Sequence, residues 1–206
     1  NAFSQMENIK FDVVIHHAGM YDLNSLVEMT EEEMIRIFNV NLFAMARVNR
    51  MIIPRLNSGA KIIITSSELG PLDPLPFTGI YAVTKAAVEK YAFSLRMELQ
   101  LLGIQVIVIR PGAVKTGLLD VSTSRLDDFC NNTKLYQCNA NRFKKIVDSV
   151  EARNISPEKI AEIDLKIIRT KNARYIYNVN RNILLRLLNI FPPRFQTWII
   201  GLILSP

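Results

Sequence analysis

The chain has 206 residues, of which 49% are hydrophobic and 21% charged, with a net charge of +6. That supplies the core of one ordinary domain and excludes a disordered or fibrous chain. Lys and Arg are mixed with acids as far as Asp164 and not interleaved with aromatics, which argues against a nucleic-acid groove; beyond Asp164 there is no acid, which points to an anionic surface or ligand near the C-terminus.

Asn1-Ala2-Phe3-Ser4 has neither a Met start nor a signal pattern and reads as a point inside a longer chain. Phe11 to Ile15 is a short apolar run that ends in His16-His17-Ala18-Gly19, as a buried strand entering a tight turn does. Adjacent strand residues face opposite sides, so His16 and His17 cannot share a metal; both are expected to be structural, and no metal site is expected. Thr30 and Glu33 have capping-box spacing. Behind them Met34, Ile37, Phe38, Asn41, Leu42 and Met45 follow one helical face to a stop at Pro54.

Lys61 to Thr65 is a second strand, ending in Ser66-Ser67. A Pro- and Gly-rich loop over 70–79 leads into a long helix from about Ile80 to Leu102, closed by Gly103. A third strand, Gln105 to Arg110, is cut off by Pro111-Gly112. Residues 116–153 read as a long, polar, irregular segment with one helix around Arg142 to Val150. Ser156-Pro157-Glu158 opens a helix to about Arg169, and Arg174 to Val179 is a last strand. The alternation predicts a single α/β domain over 1–181, a doubly wound parallel sheet, followed by an apolar and basic helical extension over 182–206.

No run reaches about 18 apolar residues, so no spanning helix is expected. Cys130 and Cys138 read as free thiols in a reduced compartment, and the expected location is cytoplasmic. In the extension, Ile183, Leu187, Phe195 and Trp198 alternate with Arg181, Arg186 and Arg194. Such a segment can lie on a membrane as a peripheral contact, pack on its own domain, or meet a partner subunit.

Tyr81 and Lys85 are four residues apart and share a helical face. An ammonium beside a phenol favours the phenolate and is expected to bring the Tyr pKa down from about 10. Alone, this is a common surface pair. Its position after a strand that ends in Ser67 changes that, because ligands of open parallel sheets bind at the carboxyl ends of strands. A Ser67 hydroxyl there can donate to a substrate carbonyl, where otherwise it would only turn the chain. Gly19 lets a ligand approach the backbone at the first strand end. At the third, Pro111 and Gly112 fix a turn whose free backbone groups, with the Thr116 hydroxyl, can bind an amide.

Together these segments make the chain similar to the short-chain dehydrogenase/reductase family over about residues 11–180. The matching motifs are His17-Ala18-Gly19, Asn39-Val40-Asn41-Leu42, Ser66-Ser67-x-x-Gly70, Tyr81-x-x-x-Lys85 and Arg110-Pro111-Gly112-x-Val114-x-Thr116. The resemblance implies a Rossmann-like fold, here N-terminally truncated, and NAD or NADP as cofactor. It implies that Tyr81 transfers the proton, that Lys85 lowers its pKa and holds the nicotinamide ribose, and that Ser67 polarises the carbonyl. It further implies that Asn41 holds a water linking Lys85 to solvent. Ala18, Gly19, Pro111, Gly112, Val114 and Thr116 would line the cofactor, with Val114 and Thr116 near its carboxamide.

The sequence departs from the family in three respects. The Gly-rich phosphate turn would precede Asn1, and the residue that separates NAD from NADP with it. His16-His17 stands where the family has Asn. The gap from Ser67 to Tyr81 is one residue longer, with Asp73-Pro74 as the place for the insertion. The segment after Thr116 would be a substrate lid; its Leu118, Leu119, Leu126, Phe129, Tyr136 and Phe143 suit either a lipophilic alcohol or ketone or ordinary packing. Pairing through the long helix, by way of Ala86, Ala87, Phe93 and Met97, implies a homodimer or tetramer. The competing readings are a related isomerase or epimerase and a catalytically inactive fragment.

Overall fold

The computed structural model describes residues 9–205, except the side chains of Leu119, Asp120 and Ser122. The start at Asn1-Ala2-Phe3-Ser4 and the Leu119 lid contact therefore lie outside the described residues. Four parallel strands form one sheet: β1 (Phe11–His16), β2 (Leu56–Thr65), β3 (Gln105–Pro111) and β4 (Ile176–Val179), adjacent in that order. The register aligns Val14 with Ile62 and Ile62 with Val106.

From Ala60 on in β2, and over Val106–Ile109 in β3, the central strands are buried on both faces, which is why they read as apolar runs; Leu56–Ala60 extend β2 ahead of the strand read from Lys61, with Asn57, Ser58 and Gly59 exposed. On one face Ile62, Ile64, Val106 and Val108 pack against α2 (Ala44–Ile52) and α3 (Gly79–Leu99) through Met45, Val88 and Leu95. On the other, Ile63, Ile107 and Ile109 meet Ile167 of α6 (Pro157–Arg169). Helices on both faces of a parallel sheet make this the doubly wound α/β fold that the alternation predicts.

Two expectations need correction. The helix read as continuous from Thr30 to Pro54 is divided into α1 (Glu31–Phe38), a π-helical turn (Asn39–Phe43) and α2. The Thr30–Glu33 capping box is present as read, with both reciprocal bonds formed. The wide turn coincides with Asn41, which is buried and bonded outside its own helix. A π turn in a helix commonly marks such a functional exception.

The second correction concerns 116–153, which is not irregular. It forms α4 (Gly117–Asn132) and α5 (Gln137–Glu151). Each helix presents a narrow apolar stripe, Leu126 and Phe129 on α4 and Ala140, Phe143 and Val147 on α5, and the stripes close on each other and on Leu23. Polar residues fill the remaining positions, so the mean polarity concealed the period. Phe77, at φ 64, is held in the left-handed region while its ring packs 4.8 Å from Phe129 and 5.4 Å from Phe143.

After β4 the chain forms α7 (Ile183–Leu188) and α8 (Pro193–Leu204), broken at Pro192-Pro193 as read. Both pack on the domain through one face. Asn189 Oδ1 accepts the Asp73 N–H at 2.6 Å, Gln196 Nε2 donates to Asp73 at 3.1 Å, and Asn139 Nδ2 donates to the Leu204 carbonyl at 2.8 Å. The loop with the extra residue thus anchors the C-terminal helices. On α3, Phe93 and Met97 are exposed and do not face their own sheet.

Leu126 is fully buried where α4 and α5 meet. Leu126→Ala is expected to lower the unfolding free energy by about 3 kcal/mol, read by urea denaturation, because a sealed core leaves a cavity on truncation. An irregular lid would collapse around the smaller side chain and show almost no change.

Candidate active site

The carboxyl ends of β1, β2 and β3 open onto one cavity of about 420 Å³. Its polar end is built by Ser67, Tyr81 and Lys85, with Gly19, Pro111, Gly112, Val114 and Thr116 around them. Its other walls are largely apolar, with Leu118, Phe143, Ile146, Val147, Ile160 and Leu185 from the helices after β3 and β4, and with Glu68, Glu151 and Asp164 among them. Of the catalytic and cofactor-binding residues read from the sequence, two stand outside the lining: Ala18 is exposed, and Asn41 lies buried behind it; of the described lid residues, Leu118 and Phe143 line the cavity, while Leu126, Phe129 and Tyr136 pack between the helices.

The first turn of α3 enters the protein interior, so Tyr81, Thr84 and Lys85 are all buried. Buried polar groups need partners. Asn41 Nδ2 donates to Thr84 Oγ1 at 2.9 Å and to the Met20 carbonyl at 3.0 Å, and its Oδ1 accepts the Met20 N–H at 2.6 Å. Lys85 Nζ donates to the Thr65 carbonyl at 3.1 Å, at the end of β2. That ammonium lies 5.6 Å from the centre of the Tyr81 ring.

Ser67, and not Ser66, faces the chemistry. Ser67 lines the cavity beside Tyr81, where its hydroxyl favours the phenolate, and its Oγ accepts the Leu69 N–H at 3.2 Å. Ser66 Oγ is buried without a hydrogen-bond partner among the described residues, close to where a side chain on Gly70 would stand.

The expected effect of Lys85 on Tyr81 is not what the structure gives. Burial pushes the Tyr81 pKa up to about 12; the Ser67 hydroxyl opposes this and the Glu68 carboxylate adds to it. Burial also pushes Lys85 down to about 8, with Glu89 opposing. Desolvation disfavours the charged form of each, and the Lys85 ammonium, bonded to the Thr65 carbonyl and lying over the Tyr81 ring, does not reverse it.

Glu68 and Tyr21 were not singled out in the sequence. Glu68 follows Ser67 directly and is buried on the cavity wall. Its Oε2 accepts the Asn182 N–H at 2.7 Å, which ties the end of β2 to the start of α7. Burial raises its pKa, against that bond and Arg181. An acid immediately after a strand-end Ser was the available signal. Tyr21 packs edge-on against Tyr81, with ring centres 4.5 Å apart. Nothing in the sequence pattern sets it apart from an ordinary core aromatic.

The third strand end is shaped for an amide. A side chain on Gly112 would stand 2.0 Å from the Asn180 carbonyl, so only Gly allows this approach. Val114 forms a parallel bridge with Ile155, whose bonds run through Ala113 C=O and Lys115 N–H. In that pattern Val114 turns its own N–H and C=O to the opposite side. The Thr116 hydroxyl makes no capping bond to α4. A Cβ on Gly19 would make only ordinary contacts, 3.5 Å from Asn41 Oδ1 and 3.6 Å from Lys85 Nζ. A nicotinamide carboxamide and ribose fit these donors and acceptors.

The two histidines have separate partners, as the strand alternation requires. His16 Nε2 meets Asn49 Oδ1 at 2.8 Å. His17 bridges Thr65 Oγ1 at 2.6 Å and Asp164 Oδ2 at 2.8 Å.

Comparison with known proteins agrees with this geometry. The family model described as short chain dehydrogenase matches residues 2–127. A curated relative from Bacteroides thetaiotaomicron, named 3-ketodihydrosphingosine reductase, is 29% identical over 170 residues, covering 82% of this chain and 62% of its own length. The chain thus spans less than two thirds of that relative. The structure of an alcohol dehydrogenase from Thermococcus sibiricus, complexed with 5-hydroxy-NADP, superposes with a TM-score of 0.64 at 22% identity, covering 85% of this chain and 65% of that one. A 4-hydroxyisoleucine dehydrogenase complexed with NADH gives 0.63 at 20% identity, covering 87% and 72%. At these identities the two structures show the shared fold.

Burial of Lys85 sets a pH dependence of stability. Below about pH 8 the residue is charged in both folded and unfolded chains, and its desolvation weakens the fold. Between about 8 and its ordinary value of 10.5 the folded chain is neutral there while the unfolded chain keeps the proton, so this penalty is relieved as pH rises. Urea unfolding of Lys85→Met and of the parent at pH 7 and pH 10 reads this: the variant's advantage is expected to shrink at the higher pH, and a constant difference would place Lys85 in contact with solvent.

Proposed function

The chain belongs to the short-chain dehydrogenase family, and from that premise we propose that the protein is an NAD- or NADP-dependent oxidoreductase that reduces a lipophilic ketone. The observation that carries this reading is the meeting of Ser67, Tyr81 and Lys85 at one end of a largely apolar cavity, with the Lys85 ammonium 5.6 Å from the centre of the Tyr81 ring.

Gly112, Val114 and Thr116 would hold a nicotinamide cofactor, the Val114 backbone and the Thr116 hydroxyl at its carboxamide and Lys85 at its ribose, and the bound cofactor would supply the hydride. The chain's own part is to bind the carbonyl, to exclude water and to deliver the proton. Ser67 orients the carbonyl oxygen through its hydroxyl. Tyr81 gives that oxygen its proton and becomes a phenolate, and Lys85 stabilises the phenolate as it forms. A phenol held neutral by burial is a proton donor at rest. The Asn41 side chain is committed to Met20 and Thr84, so a proton relay through Asn41 uses its backbone.

The wall supports a lipophilic substrate. Leu118 of α4, Phe143 and Val147 of α5 and Leu185 of α7 offer it apolar contacts, with Glu151 and Asp164 as acidic groups of the same wall. A relative named as a reductase of a 3-keto compound supports a ketone.

Tyr81→Phe keeps the ring and removes the hydroxyl that carries the proton. With NADH or NADPH and a panel of apolar ketones, kcat is expected to fall by about 10²–10⁴-fold with little change in KM, the range for loss of a general acid. Retention of the parent rate would show that Tyr81 is not the proton donor.

A further inference from the structure

The C-terminal helices are two-faced. On α8, Gln196, Ile200 and Leu204 recur every four residues and pack inward, with Gln196 and Leu204 buried. Phe195, Trp198 and Leu202 form the opposite face and are 39%, 57% and 63% exposed. On α7, Leu185 is buried against the cavity while Ile183, Leu184 and Leu187 are exposed. Ile190 and Phe191, between the two helices, are exposed as well. The aromatics run on from one another, with Phe191 and Phe195 ring centres 4.8 Å apart and Phe195 stacked 5.5 Å from Trp198.

Soluble surfaces seldom hold an apolar patch of this extent without a partner. The inner faces already contact the protein's own domain, so the outer faces are left for something else. Charge selects what that is. Arg181, Arg186 and Arg194 flank the apolar groups, and no Asp or Glu occurs anywhere after Asp164. A protein partner would not require such one-sided charge, whereas an anionic bilayer surface does. The 12 residues of α8 are too few to cross a bilayer, and no helix of the described residues is long and apolar enough to do so. A short helix with aromatic and aliphatic groups on one side and arginines at its edge lies in the headgroup region.

We infer that the outer faces of α7 and α8 dock the protein on an anionic membrane surface. Leu185 and Asn182 of the same segment line the cavity, so docking sets the cavity wall beside the lipid. Direct entry of a lipophilic ketone from the membrane follows from this together with the proposed oxidoreductase activity; the docking itself does not depend on that activity.

Vesicle flotation of the full chain tests the docking without any substrate. Vesicles of phosphatidylcholine with about 30% phosphatidylglycerol are expected to carry the protein up the gradient, and pure phosphatidylcholine to carry much less. Arg186→Glu combined with Arg194→Glu is expected to weaken binding at least about tenfold, as is salt at about 1 M. Trp198→Ser is expected to weaken it without changing the mass in solution. Equal flotation of the parent and the arginine variant, or none of the parent, would overturn the inference. So would a mass by light scattering that falls on Trp198→Ser, which would make the patch an interface between copies. Ketone reduction by the arginine variant, assayed separately, shows that it is folded and keeps a failure of docking distinct from a failure of the enzymatic reading.

Discussion

Burial of the first turn of α3 is the constraint on which the other features depend. Tyr81, Thr84 and Lys85 enter the interior together, each with a polar group to satisfy. A buried polar group left without a partner costs about 1–3 kcal/mol. Asn41 meets Thr84, and the π turn accompanies its placement there. The Thr65 carbonyl, at the carboxyl end of β2, meets Lys85, and Ser67, two residues on, meets Tyr81. Parallel register sets β3 beside β2, so Pro111 and Gly112 follow at the same end. One buried helix turn therefore gathers the ends of three strands around one cavity.

The same burial determines the chemistry. Desolvation drives a phenol and an amine toward their neutral forms, and here it is the largest influence on both Tyr81 and Lys85. The result is a proton donor and not a standing phenolate. Glu68 acts in the same direction, since a carboxylate near Tyr81 disfavours negative charge on the ring. Glu68 also bonds to the start of α7, so the electrostatics of the polar end are linked to the helices that close the apolar end.

Much of this was legible in the sequence, for physical reasons. Strands buried on both faces must be apolar throughout, and β2 and β3 could be read from that alone. The capping box and Gly103, at φ 72, are local signals that needed no tertiary context. The opposite facing of His16 and His17 followed from strand geometry. Other features had no local signal. The π turn depends on Thr84, 43 residues from Asn41. The helices α4 and α5 bury only a narrow stripe each, and their average composition reads as a loop. The upward shift of Tyr81 required knowing that it is buried, whereas i, i+4 spacing with Lys85 is equally compatible with an exposed pair.

The central claim is that Tyr81 rests as a buried, neutral phenol. Ultraviolet difference titration of the parent against Tyr81→Phe isolates this one residue from the other tyrosines. The account predicts no phenolate signal from Tyr81 until the pH approaches about 12. A phenolate appearing between about pH 7 and 9, below the ordinary value of about 10, would contradict it and restore Lys85 as the group that sets the Tyr81 pKa.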